Sequence, residues 1–259
     1  MRIAMGIEYE GTQYMGWQRQ RHGPSVQGSL ETALSSVANE PIEVTCAGRT
    51  DTGVHGLGQV VHFDTAAKRS DRGWLLGVNS ALPDDVSVSW VKPVSDEFHA
   101  RFSAVSRSYR YVILNRPVRS ALAFHRAFVV HDKLDTDPMN SAVAHLLGEH
   151  DFSSFRAAGC QAAHANRCVL ALEVSRQDDW VFIDIKANAF LQHMVRNITG
   201  LLVSIGRGDL AVDAAASILA TKDRTQAPFA APSKGLYFVG VEYPASFDLP
   251  MPAAWIPVL

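Results

Sequence analysis

Cysteine is scarce in this chain of 259 residues: Cys46, Cys160 and Cys168 are all it has. An odd number with no C-x-x-C spacing points away from a disulfide framework and from a thiolate zinc site, and reads as reduced thiols in a cytosolic protein. No apolar run approaches the length of a membrane-spanning helix, although 47% of the residues are hydrophobic. The opening M-R-I-A-M-G-I-E-Y-E meets Glu8 before a signal-peptide core can form. Low-complexity segments and sequence repeats are also lacking. Net charge is only −2, which taken alone speaks against a nucleic-acid partner.

A local absence reverses that last inference. Between Phe98 and His131 there is no Asp, Glu or Lys, but there are six arginines: Arg101, Arg107, Arg110, Arg116, Arg119 and Arg126. Guanidinium suits bidentate phosphate contacts and stacking better than ammonium does. Tyr109 and Tyr111 are interleaved with these arginines, as in surfaces that grip RNA. The plainer alternative is an arginine-rich strand face whose charges are paired with acids from elsewhere.

The densest polar stretch is A-G-R-T-D-T-G-V-H-G-L-G-Q-V-V-H-F-D, Ala47 to Asp64. Ile42 and Val44 precede it, and Val60, Val61 and Phe63 lie within it, so strand, tight turn, strand is expected with Asp51 on the turn. Arg49, two residues away, would favour the ionised carboxylate and so a nucleophile or electrostatic partner. An Asp hydrogen-bonding its own backbone in a β-turn is the competing explanation.

The length fits one large domain or two small ones. Strands are expected at Arg2 to Glu8, Val86 to Val91, Tyr109 to Leu114, Ala127 to Val130, Val169 to Val174, Val181 to Ile185 and Leu236 to Val241, with Asp178-Asp179 as a hairpin turn. Helices are expected after a Ser25 cap, from Trp74 to Leu82, and after an Asp137 cap with Pro138 in first position and Gly148 as the stop. A further helix spans about Phe190 to Ile205, with Leu191, Met194, Val195, Ile198, Leu202 and Ile205 in one stripe. Arg196 falls nearly opposite that stripe, beside Gln192, Thr199 and Gly200. The result is two α+β halves, 1–105 and 106–247, and a Pro-rich tail over 248–259.

Three chemistries can be written for Asp51. Aspartic proteases carry D-T-G, but need two carboxylates sharing a proton, and this chain has one such motif. A metal could be sought at Asp51, His55, His62 and Asp64, but no compact ligand spacing such as H-x-x-x-H is present. The third combines an Asp nucleophile, arginines for phosphates and tyrosines for stacking: an enzyme acting on a nucleobase or ribose of RNA, with the base drawn out of its stack.

G-R-T-D-x-G-V-H at Gly48 to His55, followed by G-Q-V-V-H-F, resembles the signature of the tRNA pseudouridine synthase A family. Further resemblance runs in order through Y-E-G-T-Q-Y-M-G-W-Q-R-Q (9–20), F-H-A-R-F-S-A (98–104), R-S-Y-R-Y (107–111), F-L-Q-H-M-V-R-N-I-T-G (190–200) and K-G-L-Y-F-V-G-V-E-Y-P (234–244). It implies an isomerase converting uridine to pseudouridine at positions 38, 39 and 40 of the tRNA anticodon arm, without metal or cofactor. It also implies a cytoplasmic homodimer whose two α+β halves share a continuous, mainly antiparallel sheet around a central cleft. By motif position Asp51 is the nucleophile, Arg49 helps displace the target base, Tyr109 stacks on the uracil and Arg196 pairs with Asp51. Arg101 and Arg110 would contact phosphates, and Leu236 would pack near the base. Thr52 and Gly56 replace the family's usual alanines, and Cys160 to Asn166 lacks the basic or hydroxyl residues frequent there. A non-catalytic RNA-binding protein is the competing class, and it would have no use for a carboxylate near phosphates.

Overall fold

The computed structural model describes residues 1–250; the rest of the tail expected over 248–259 lies outside the described residues. By compactness the described residues divide into two units, Met1–Arg107 with residues 237–250, and Ser108–Leu236.

The first unit contains β1 (Arg2–Tyr9), α1 (Val26–Ala38), β2 (Thr45–Cys46), β3 (His55–Asp64), α2 (Asp71–Ala81), β4 (Val86–Val94) and, from late in the chain, β10 (Leu236–Glu242). β1 lies antiparallel between β4 and β3. Pro93 sits in β4, at the edge of this arrangement, where a missing N–H removes no ladder bond from a central strand. The other side of β3 is shared. β2 pairs antiparallel with His62 and Val61, while Tyr237 and Phe238 of β10 pair in parallel with His55 and Gly56. The division falls between Leu236 and Tyr237, whereas the sequence placed all of 106–247 in the second half.

α1 starts where expected, with the Ser25 hydroxyl accepting from Gly28 N, and its Val26, Leu30, Ala33 and Leu34 are buried. They pack in one core with Ile3, Met5 and Ile7 of β1 and Trp74 and Val78 of α2. Each such aliphatic side chain removed from water contributes roughly 1.5–3 kcal/mol. α2 begins earlier than the apolar pattern suggested, because Ser70 caps it through Gly73 N.

The second unit holds β5 (Ser106–Asn115), which starts at the division, β6 (Phe128–Val130), α3 (Thr136–Val143), β7 (Gly148–Asp151), β8 (Asn166–Gln177), β9 (Trp180–Ala187), α4 (Met194–Gly206) and α5 (Ala214–Thr221). The order is β5-β9-β8-β7, with β6 parallel to β5. The β8–β9 hairpin turns where expected, Asp178 adopting φ 51°.

Two helix boundaries differ from expectation. α3 is capped by Asp135, whose carboxylate accepts from Asp137 N, so Pro138 is the third helical residue and not the first. The helix stops at Val143, and Gly148 opens β7. α4 begins only at Met194, because His193 sits in the left-handed region at φ 63° and breaks the apparent period from Phe190. Nor is its polar side solvated. Thr199 and Gly200 are buried, because the segment around Phe229–Ala231 lies against that face. A Cβ at Gly200 would collide with the Phe229 carbonyl oxygen, so glycine is what permits the approach.

Candidate active site

Asp51 stands at the first position of a β-turn closed by Val54 N donating to its carbonyl, 3.1 Å. Gly53 supplies the positive φ, 77°, that the third position of such a turn requires. The turn uses the Asp51 main chain, and the side chain is half-buried.

The loop is held from several directions. Gln59, fully buried in β3, donates from Nε2 to Gly48 O at 2.6 Å and accepts from Gly48 N at 3.3 Å. Thr50 is fixed by the Tyr9 hydroxyl at 2.8 Å and by Trp17 N donating to its carbonyl at 3.0 Å. Trp17 is itself buried and packs on Tyr9, so the 9–20 motif acts as a support laid against the Asp51 loop. Arg107 closes the root, donating from Nε and a terminal nitrogen to Ala47 O and from the same group to Ala104 O and Arg101 O. Sequence reading missed this support, because the contacts span tens of residues. The one local signal was Gln59, a polar residue at an inward strand position.

Arg49 is exposed. Its charge and that of Arg101 both act on the Cys46 thiol, where burial dominates and lifts the pKa to about 11. Both arginines therefore sit near the end of β2 that leads into the Asp51 loop. Upstream, Glu10 is brought to about 2: burial opposes ionisation, but hydrogen bonds from His55 and Thr12 outweigh it. All three cysteines are free. Among the described residues no group of three His, Cys, Asp or Glu side chains is arranged to hold a metal.

His62 is one of the four ligands of the metal scheme. It is buried and its Nδ1 accepts from Ala100 N at 3.1 Å. Burial, followed by the positive charges of Arg2 and His99, lowers its pKa from 6.5 to about 4. In the unfolded chain it takes up a proton near 6.5, in the folded protein only near 4, so the unfolded state binds more protons in between. Folding stability is expected to be complete in this respect above pH 6.5 and to fall as pH drops toward 4. Urea midpoints measured between pH 7.5 and 4.5 check this, and His62→Gln should flatten that part of the profile.

In the second unit Tyr109 of β5 is buried, edge-on to Phe190 at 4.9 Å. Tyr111, grouped by sequence with an RNA-gripping surface, is instead a core residue: it is fully buried and its hydroxyl donates to Pro232 O at 2.6 Å. Two residues apart on a strand, both rings share one face. Arg196 is half-buried in the first turn of α4, donating from Nε to Ala231 O at 2.7 Å, and its charge acts on the Tyr111 hydroxyl. Leu236 is buried. Arg110 chelates Asp184 at 2.6 and 2.8 Å, so for this residue the acid from elsewhere exists. Arg107 is engaged with carbonyls and Arg116 donates to Val118 O and Arg119 O, leaving Arg101, Arg119 and Arg126 as the exposed members of the arginine segment.

The structure therefore has a half-buried carboxylate on a clamped turn, with arginines near the root of its loop. The family model described as tRNA pseudouridine synthase matches residues 5–103 and 142–244. Curated relatives named tRNA pseudouridine synthase A include those of Hydrogenovibrio crunogenus, 59% identical over 96% of this chain and 95% of that protein, and Vibrio cholerae and Klebsiella pneumoniae, each 55% identical over 96% of this chain and 95% and 93% of theirs. The chain belongs to the tRNA pseudouridine synthase family. A solved chain of a Cbf5-Nop10-Gar1 complex aligns with 78% of this chain and 45% of its own at 12% identity and a TM-score of 0.35, too slight a likeness to argue from.

Proposed function

We propose that this protein isomerises uridine to pseudouridine at positions 38, 39 and 40 in the anticodon arm of tRNA. The observation that carries the reading is Asp51, presented on a turn whose neighbours Gly48 and Thr50 are fixed by hydrogen bonds. The Asp51 carboxylate has two electrophiles in the nucleotide, C1′ of the ribose and C6 of the ring, and either adduct loosens the N1–C1′ bond. That bond breaks, the uracil turns, and C5 bonds to C1′. The C5 proton leaves, N1 gains one, and Asp51 is released. Atoms and electrons balance without a redox partner, so neither metal nor cofactor is needed.

Arg49, exposed beside the loop, fills the place of the displaced base, and Tyr109 lies against the extruded uracil and assists loss of the C5 proton. Arg196 is the partner of the Asp51 carboxylate, and Leu236 packs near the base. Arg101 binds phosphate, and Arg110 joins it by surrendering part of its pair with Asp184. The protein works as a homodimer in the cytoplasm, two arginine-rich segments then facing one tRNA. No helix among the described residues is long and apolar enough to cross a membrane. Mapping pseudouridines in tRNA from cells with and without the gene tests the reading. Loss at positions 38, 39 and 40 alone is expected, and an unchanged anticodon arm would refute it.

The two arginines should separate in binding. Arg101→Gln should lower the slope of log K against log salt by roughly one unit for the phosphate contact removed. Arg110→Gln should change it less, because Asp184 already neutralises that charge. Equal wild-type slopes in both would place RNA elsewhere.

A further inference from the structure

Phe102 is the most conspicuous unused group near the Asp51 loop. It is 75% exposed, yet it is not loose. The His99 ring stacks on one face at 4.3 Å and 28°. His99 Nδ1 accepts from both Arg101 N and Phe102 N, at 3.2 and 3.1 Å, which ties the ring to the turn that carries it. The Arg101 guanidinium lies 5.4 Å from the ring centroid. Arg107 then bonds both Arg101 O and Ala47 O, joining this turn to the root of the Asp51 loop.

We propose that Phe102 is a stacking platform for an unpaired tRNA base next to the target uridine. This deepens the function proposed above and rests on it. An exposed aromatic ring held flat by a second ring, with an arginine beside it, is the arrangement that grips single-stranded bases through their π-faces and the adjoining phosphate. Charge favours RNA over a second copy of the chain as occupant. The exposed Arg101 flanks the ring and Arg49 lies near the same root, so a symmetric contact through this turn would set like charges against each other.

Dissociation constants for tRNA, measured with Phe102→Tyr, Phe102→Leu and Phe102→Ala, test the platform. Tyr keeps a π-face and should bind within about twofold of wild type; Leu keeps apolar bulk without one, and both Leu and Ala should weaken binding about 5- to 100-fold. Melting temperatures should not move, since the ring is outside the core. Wild-type affinity in the Leu variant would overturn the proposal, as would a loss of dimer mass in sedimentation with tRNA affinity unchanged. Wild-type protein that binds tRNA but forms no pseudouridine would instead strike the reaction, and the binding series would still decide the platform.

Discussion

Asp51→Asn should form no detectable pseudouridine while holding tRNA within about tenfold of wild-type affinity, roughly 1.4 kcal/mol. The substitution is conservative for the loop. What closes the turn is the Asp51 carbonyl, not its side chain, and Gln59, Tyr9 and Trp17 clamp Gly48 and Thr50 ahead of it. Asn also suits the first position of such a turn, so fold and melting temperature should be kept. An amide cannot form the covalent adduct. Turnover by an Asn variant shown free of deamidation would remove Asp51 from the nucleophile role.

Arg196→Gln should come second in effect. As the proposed partner of Asp51, its loss leaves that carboxylate uncompensated, and single-turnover rates on bound tRNA should fall on the order of 100-fold or more. The salt dependence of binding should not move, because Arg196 is half-buried and holds Ala231 O instead of lying on an open phosphate surface. This is the reverse of the pattern expected for Arg101. A variant with an altered salt slope and an unchanged rate would turn Arg196 into an ordinary phosphate contact. Both constants can be read from one set of filter-binding and quench experiments.

Local features of the fold were legible in the sequence where a few neighbouring residues decide the outcome. The Ser25 cap, the Asp178-Asp179 turn and the alternation in β1 are such cases. Competition among several plausible caps defeated the reading of α3: Asp135, Thr136 and Asp137 all can start a helix, and Asp135 does so. In α4 the apolar spacing runs back to Leu191, but a buried non-helical turn satisfies that spacing equally well, and His193 breaks the helix. α5 has no side-chain cap and a run of alanines in place of a stripe, so periodicity gave it no mark.

The site divides in the same manner. The sequence placed Asp51 on its turn with Arg49 two residues before it, and gave Arg101 only as a phosphate contact. The contacts that fix the loop were invisible, because Trp17, Gln59 and Arg107 come from three separate stretches and meet only through folding. Counting arginines likewise overstated the exposed charge: composition cannot tell Arg110, chelated by Asp184, or Arg107, spent on carbonyls, from the exposed Arg101. Tyr111 shows the same limit, since an aromatic between arginines on a strand is as readily core as surface.

The most direct test of the central claim follows the C5 proton. A tRNA carrying tritium at C5 of the uridines in its anticodon arm is incubated with purified protein and no added cofactor. Rejoining the base through C5 must expel that label into water. Release of one tritium per modified position by the wild type, and none by Asp51→Asn at equal tRNA occupancy, is the result expected. Pseudouridine-free tRNA with all its tritium retained by the wild type, or release undiminished in the Asn variant, would contradict it.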